Sequence, residues 1–176
     1  MIHMKIQILV TGSHFTGLGF RALEPVIKEL VSCAKKEIQV AAYIFSSAAL
    51  EFLTLLENAL ARGVMVTVIV NSLNKQPQSI RDFLLNLEKK YPFARIVDFH
   101  DPFGGQLHAK ILVVDRKKAV VGSANFTWGG LVTNHEICVL IEGKTALDIA
   151  FLLDQISRIS KQYNRSIRKG TSYNLR

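Results

Sequence analysis

Cysteine is scarce in this chain. The two residues, Cys33 and Cys138, lie far apart in apolar settings. No metal-type spacing joins them, so neither a disulfide framework nor a cysteine-built metal site is legible. Both are expected to be buried free thiols, which suits a reducing compartment and a cytoplasmic protein. The chain also lacks an apolar run of membrane-spanning length, an amphipathic membrane helix and a lipid anchor. The apolar part of the opening segment, MIHMKIQILVTGSH, is too short for a secretory signal and reads as a first strand. Acidic residues are outnumbered: 14 Asp and Glu stand against 22 Lys and Arg, a formal net charge of +8. Such an excess suits a polyanionic partner, either nucleic acid or an acidic membrane surface, without choosing between them.

What the chain has in quantity is aliphatic sequence. Hydrophobic residues make up 49% of 176, enough for one domain with a sizeable core. MKIQILV (4 to 10) alternates like a strand, and the Gly-rich TGSHFTGLGF follows it as a loop. Helical spacing runs through 22 to 36, 46 to 63 (with a Ser cap and a Gly stop), 76 to 91 and 144 to 166. Strand patterns fill 37 to 45, 64 to 70, 94 to 99, 108 to 115, 118 to 123 and 134 to 142; the pair flanking RKK reads as a hairpin. Strands alternating with helices predict a single α/β domain over residues 1 to 176. Its sheet is expected to be mixed, mostly parallel, and flanked by helices on both faces.

One aliphatic strand carries an unexpected pair. In HAKILVVDRKKAVVGSAN, His108 and Lys110 are two residues apart and so share a face, with Ala109 opposite. Asp115 ends the strand beside the turn. The return strand brings Gly122, Ser123 and Asn125 back to the His-Lys end. One patch thereby gathers an imidazole, an ammonium, a hydroxyl and an amide, a set that suits a phosphodiester. The imidazole can attack phosphorus or move a proton. The other groups can hold phosphoryl oxygens as their charge grows, and Gly122 permits a close backbone approach.

His-x-Lys-x4-Asp followed by Gly-Ser-x-Asn resembles the signature of the phospholipase D superfamily at every fixed position. The order of AKKEIQVAAYIFSS, ALARGVMVTVIVN, the motif and NHEICVLI is similar to its small nuclease branch, over roughly residues 20 to 160. The resemblance implies catalysis without a metal or other cofactor. A His attacks phosphorus to form a phosphohistidine, a second His protonates the leaving oxygen, and water then cleaves the intermediate. Carried onto this chain, the catalytic set is His108, Lys110, Asp115 and Glu136. His108 is nucleophile or general acid, Asp115 is the structural acid of the motif, and Glu136 sits where small family nucleases place the acid that orients the His. Lys110, Ser123 and Asn125 bind the substrate phosphate. A single motif supplies a single imidazole, so the mechanism predicts a homodimer with His108 of each subunit facing across a two-fold axis.

The function implied is a metal-independent phosphodiesterase, an endonuclease acting on DNA, with RNA left open. Two alternatives stand beside it: a phospholipid phosphodiesterase of the cardiolipin type, and a nucleic-acid-binding subunit with a silenced site. The basic end, RISKQYNRSIRKGTSYNLR, reads as a DNA-contacting tail or a solvated helix end. Restriction and defence enzymes of the superfamily pair such a catalytic domain with a separate recognition domain or subunit, so the chain also reads as the catalytic part of a longer protein. Specificity is assigned to loops 71 to 79 and 99 to 107. TGLGFRA (16 to 22) mimics a dinucleotide-binding turn, but the acid expected after the second strand is absent; it is taken as a connector or an entrance loop. His14, His100 and His135 form no metal-ligand spacing, with His100 placed near the site entrance. Phe126 is expected in the core, and Trp128 either there or stacked on a base.

Overall fold

The computed structural model describes residues 5–101 and 103–168, the stretch from 162 onward as backbone only. The basic tail beyond it lies outside the described residues. Eight strands form one sheet: β1 (Lys5–Val10), β2 (Arg21–Ala22), β3 (Glu37–Ala42), β4 (Met65–Asn71), β5 (Ala94–Phe99), β6 (Lys110–Val114), β7 (Lys118–Gly122) and β8 (Ile137–Glu142). The order across it is β2-β1-β8-β7-β6-β3-β4-β5. The helices are the short α1 (Ser13–Thr16), then α2 (Leu23–Cys33), α3 (Leu50–Ala61), α4 (Gln78–Lys90) and α5 (Lys144–Arg168).

The sheet is mixed and carries helices on both faces, as expected. It is not mostly parallel. Pairing is parallel in β1–β2, β3–β4 and β4–β5, and antiparallel in β1–β8, β8–β7, β7–β6 and β6–β3. The βαβ crossovers through α3 and α4 enforce parallel pairing on one side, while the β6–β7–β8 meander enforces the opposite on the other. The larger core lies under α2, α3 and α4, where Ile38, Val40, Leu112 and Leu140 meet Leu53, Leu56 and Leu84. A smaller core lies under α5, where Ala41, Ile69, Val113 and Ala119 meet Ala146, Ala150 and Leu153. The small residues of α5 let the helix lie close on the sheet. This double burial explains why the central strands are aliphatic without alternation.

Three local expectations are corrected. Cys33 is exposed, because on the last turn of α2 it borders an open groove shared with Val114, Asp115 and Lys117; Cys138 is buried as expected. Ser46 makes no capping bond. A 3₁₀ turn at Ser47–Ala49 precedes α3, and the Ser46 hydroxyl instead accepts the Trp128 N–H at 3.4 Å. The Gly-rich segment is more than a loop: it forms α1, and just after it β2 adds a parallel edge beside β1.

The β6–β7 turn is locked by its acid. Asp115 and Arg116 both take positive φ, 53° and 55°, a conformation that non-glycine residues adopt only with compensation. For Asp115 the compensation is a set of backbone donors. Its carboxylate accepts the N–H groups of Lys35 (3.0 Å), Lys36 (2.7 Å) and Glu37 (3.0 Å), between α2 and β3. Arg116 is held by Glu37 and by Asp154 of α5, the latter at 2.8 Å. Burial pushes the Asp115 carboxyl up, but the three N–H groups and the Lys117 ammonium outweigh it and hold the carboxyl below its ordinary value of 3.8. The sign follows: the ionised group stabilises the fold fully above about pH 4, and the contribution fades as pH falls through the depressed value. Asp115→Ala is expected to lower unfolding stability by about 2 kcal/mol at pH 7. Urea titrations should find the gap from wild type constant above about pH 4 and shrinking as pH falls below it, whereas a gap independent of pH would refute this role.

Candidate active site

The site sits where β6 begins and β7 ends. The β6–β7 register (Ile111 opposite Val121) extends to place Lys110 opposite Gly122, which pairs with Cys138 of β8. A side chain at Gly122 would overlap the backbone and sulfur of Cys138 and the carbonyl of Ile137. The glycine therefore admits the β8 backbone rather than a ligand. Burial pushes the Cys138 thiol up, which marks it as core rather than nucleophile.

Lys110 is the anomaly of the strand. It lies on the α2–α4 face with Leu112 and Val114, and it is only 8% exposed. Its Nζ donates to the His108 carbonyl at 2.8 Å and lies 2.9 Å from His108 Nδ1 and 3.3 Å from Nε2. Burial pushes the Lys110 ammonium below its ordinary value, and the Glu136 carboxylate opposes that push. His108 itself stands in the open, two residues ahead of β6 rather than inside the strand. Its ring leans on Tyr43, with centroids 4.4 Å apart at 52°. The Lys110 ammonium lies 5.4 Å from the centre of the same tyrosine ring.

Ser123, Asn125 and Glu136 close the patch. The Ser123 hydroxyl donates to Glu136, and it accepts the Ile137 N–H at 3.2 Å. Asn134 reaches the other Glu136 oxygen at 3.3 Å. Thr11, at the end of β1, fixes this segment further: its hydroxyl donates to the Asn134 carbonyl at 2.6 Å and accepts the Glu136 N–H at 3.2 Å. Asn125 has a buried side-chain oxygen with no partner, an unspent polar group beside the patch. Gly130 fits against the Asn125 backbone, where a side chain would collide with its carbonyl.

The structure thus brings His108, Lys110, Ser123, Asn125 and Glu136 to one end of the sheet. Asp115 sits at the other end of β6 and shares no bond with them. Glu136 bonds to Ser123 rather than to His108. The extended register explains this: Glu136, Ala124 and His108 fall in one row, which leaves Glu136 two strands, or about 10 Å, from His108. His135 packs on Phe15 (5.0 Å) and His14 (6.1 Å) instead of facing the patch. His100 bonds to Asp98 at 2.9 Å at the end of β5. Phe126 is core, stacked on Phe52 at 4.8 Å, while Trp128 is 53% exposed. Sequence reasoning missed Tyr43, Asn71 and Gln76. Their signal was slight: polar or amphipathic residues at or just beyond the ends of buried strands. Among the described residues, no group of three His, Cys, Asp or Glu side chains is placed to hold a metal ion.

Comparison with known proteins agrees with this geometry. The profile of a family described as "Cardiolipin synthase, PLD-like domain" matches residues 27–164. The DISARM protein DrmC of Bacillus paralicheniformis is 33% identical over 153 residues, 85% of this chain and 62% of that protein. A phospholipase D of Rickettsia conorii is 32% identical over 116 residues, 66% of this chain and 54% of that protein. The chain therefore spans between 54% and 62% of the length of these relatives. In structure it is similar to NucT from Helicobacter pylori, with a TM-score of 0.69 at 17% identity, covering 88% of this chain and 96% of that one. It is similar too to Nuc from Salmonella typhimurium, a phospholipase D family member, with a TM-score of 0.68 at 19% identity, covering 88% and 94%. With the motif, the sheet and the matched profile in agreement, the chain belongs to the phospholipase D superfamily.

Proposed function

We propose that this protein is a metal-independent endonuclease that cleaves DNA through a phosphohistidine on His108, in an active site shared by two copies of the chain. The observation that carries the reading is the cluster itself: an open imidazole beside a buried ammonium, with a hydroxyl, an amide and a carboxylate at the same end of the sheet. At rest the Lys110 ammonium lies 2.9 Å from Nδ1 of His108. A phosphodiester oxygen competes for that ammonium, and its binding frees the ring. A ring nitrogen then attacks phosphorus; the P–N bond forms as the P–O bond to the leaving oxygen breaks, and the partner's His108 protonates that oxygen. Water next attacks phosphorus and gives its proton to the same partner imidazole, and the P–N bond breaks to restore His108. Lys110, Ser123 and Asn125 hold the phosphoryl oxygens throughout.

Nucleic acid is favoured as substrate by the net charge of +8, doubled in a dimer. A second copy is favoured by an uncovered apolar face. Ile6, Ile8 and Ile137 are exposed on β1 and β8, on the side of the sheet that α5 covers elsewhere. Phe151 of α5 stands 61% exposed, with Leu147 one turn before it. The lipid reading has support of its own in the cardiolipin synthase description of the matched profile and in the phospholipase D relatives.

With plasmid and single-stranded DNA in excess EDTA, wild type is expected to cut, and His108→Ala to lose about three orders of magnitude in rate or more. Equal cutting by both would sink the reading, and turnover of cardiolipin vesicles with no DNA cleavage would transfer it to lipid. The shared site makes a separate demand. Ile8→Glu combined with Phe151→Glu should shift the mass by light scattering from dimer to monomer, and cleavage should fall with it. A wild type that is already monomeric and active would refute the shared site.

A further inference from the structure

We propose that Gln76, acting with Asn71, is a positioning residue that fixes the His108 imidazole from outside the motif; the inference rests on reading His108 as the reacting group. The catalytic ring needs such support, because the sheet does not supply it. His108 precedes the first paired residue of β6, Lys110 opposite Ala42. Tyr43, the ring it leans on, has likewise just left β3. Neither residue is held by the strand ladder, yet their rings are in contact.

One buried carboxamide ties both of these loose ends. Gln76 is 5% exposed and follows a short turn after β4. Its Nε2 donates to the Tyr43 carbonyl at 3.2 Å and to the Asn71 carbonyl at 3.0 Å, while its Oε1 accepts the Phe45 N–H at 3.0 Å. Asn71, itself buried at the end of β4, completes the link: its Oδ1 accepts the Leu107 N–H at 2.9 Å, one residue before His108. The backbone under His108 and the ring against it are thus fastened to the same pair of amides. Only a carboxamide donates twice and accepts at one short reach. Glutamate loses both donors, and methionine loses every bond while keeping the volume. A plain packing role would be met by any apolar residue of that size, so three polar bonds to three backbone groups around one mouth point to the placing of those loops.

The consequences are kinetic. Sub-ångström displacement of a reacting group is enough to cost a large part of its rate. Gln76→Met should lower kcat by about 30-fold and leave KM within about threefold, because Lys110, Ser123 and Asn125 still hold the phosphate. Tyr43→Leu, which removes the ring contact and keeps the bonds to its backbone, should lower kcat by about tenfold. The double variant should fall little below Gln76→Met alone, since both act through the same ring. Turnover of bis(p-nitrophenyl) phosphate in EDTA supplies these constants, and circular dichroism confirms that the variants are folded. A second readout needs no substrate. In spectra of the full chain carrying ¹⁵N-histidine, with His108 assigned by its loss in His108→Ala, Gln76→Met should split or broaden the His108 ring signals and leave those of His14 and His100 in place. A loss in KM rather than kcat, full additivity in the double variant, or unchanged His108 signals would each overturn the proposal. A wild type that turns over no phosphodiester would defeat the proposed function and still leave the spectra to decide the positioning role.

Discussion

The arrangement turns on one buried charge. Lys110 places an ammonium at the start of a strand whose next residues are Ile111, Leu112, Val113 and Val114, on the same face as Leu112 and within the layer closed by α2, α3 and α4. Taking such a group out of water is unfavourable unless hydrogen bonds replace its hydration. Those it makes are to His108, through the backbone carbonyl and the ring, with the face of Tyr43 nearby. An ammonium so placed is satisfied sparingly. A phosphodiester, which carries one negative charge, would be a stronger partner for this ammonium than the carbonyl and ring it now contacts, before any base or headgroup is considered.

The motif's acid serves the other end of the same hairpin. A two-strand lever with reacting groups at one tip is useful only if the opposite tip does not move. Asp115 accepts three consecutive backbone N–H groups from the α2–β3 connection, so β6 is pinned to the neighbouring strand at its far end while His108 stays open at the near one. The fixed spacing between Lys and Asp is then the length of strand needed to cross the sheet, about 3.3 Å per residue. Proximity in sequence and distance in space coexist in this motif because the strand is extended.

Local chemistry made much of this legible in the sequence. The His-Lys pair shares a face because strands alternate, and Ser123 and Asn125 return because the turn at 115 to 117 closes a hairpin. Other features depended on groups remote in the chain. Strand direction across β1, β8 and β7 is fixed by which edges meet, so aliphatic runs could not reveal that antiparallel pairs outnumber parallel ones. β2 is two residues long and carries no pattern. His108 reads as part of a strand, but the Leu107 N–H goes to the Asn71 side chain instead of a neighbouring strand. Gln76 reads as a polar residue ahead of a helix; its burial is decided by backbone groups of Tyr43 and Phe45, some thirty positions earlier. Glu136 was matched by position in the chain to an orienting acid, and only the register, with Ala124 standing between, places it against Ser123.

The same register bears on how many chains the reaction needs. On the proposed mechanism, in-line attack by His108 would put the leaving oxygen on the far side of phosphorus, where a proton donor would have to stand within hydrogen-bond reach. Of the other imidazoles among the described residues, His14 lies in α1 with its ring against His135, and the remaining two start from distant strands. His135 lies just ahead of β8, two strand spacings or about 10 Å from β6, and its ring is turned onto Phe15 and His14. His100 ends β5, three spacings or about 14 Å away, and is held by Asp98. For either to serve, a strand end would have to leave the sheet. The proposed two-fold axis, passing near the open mouth, would require no such rearrangement and would bring an identical imidazole, with its own Lys110, from the opposite side. On the proposed mechanism, a dimer that met through the uncovered face of β1, β8 and α5 would bury apolar surface that a lone chain leaves in water.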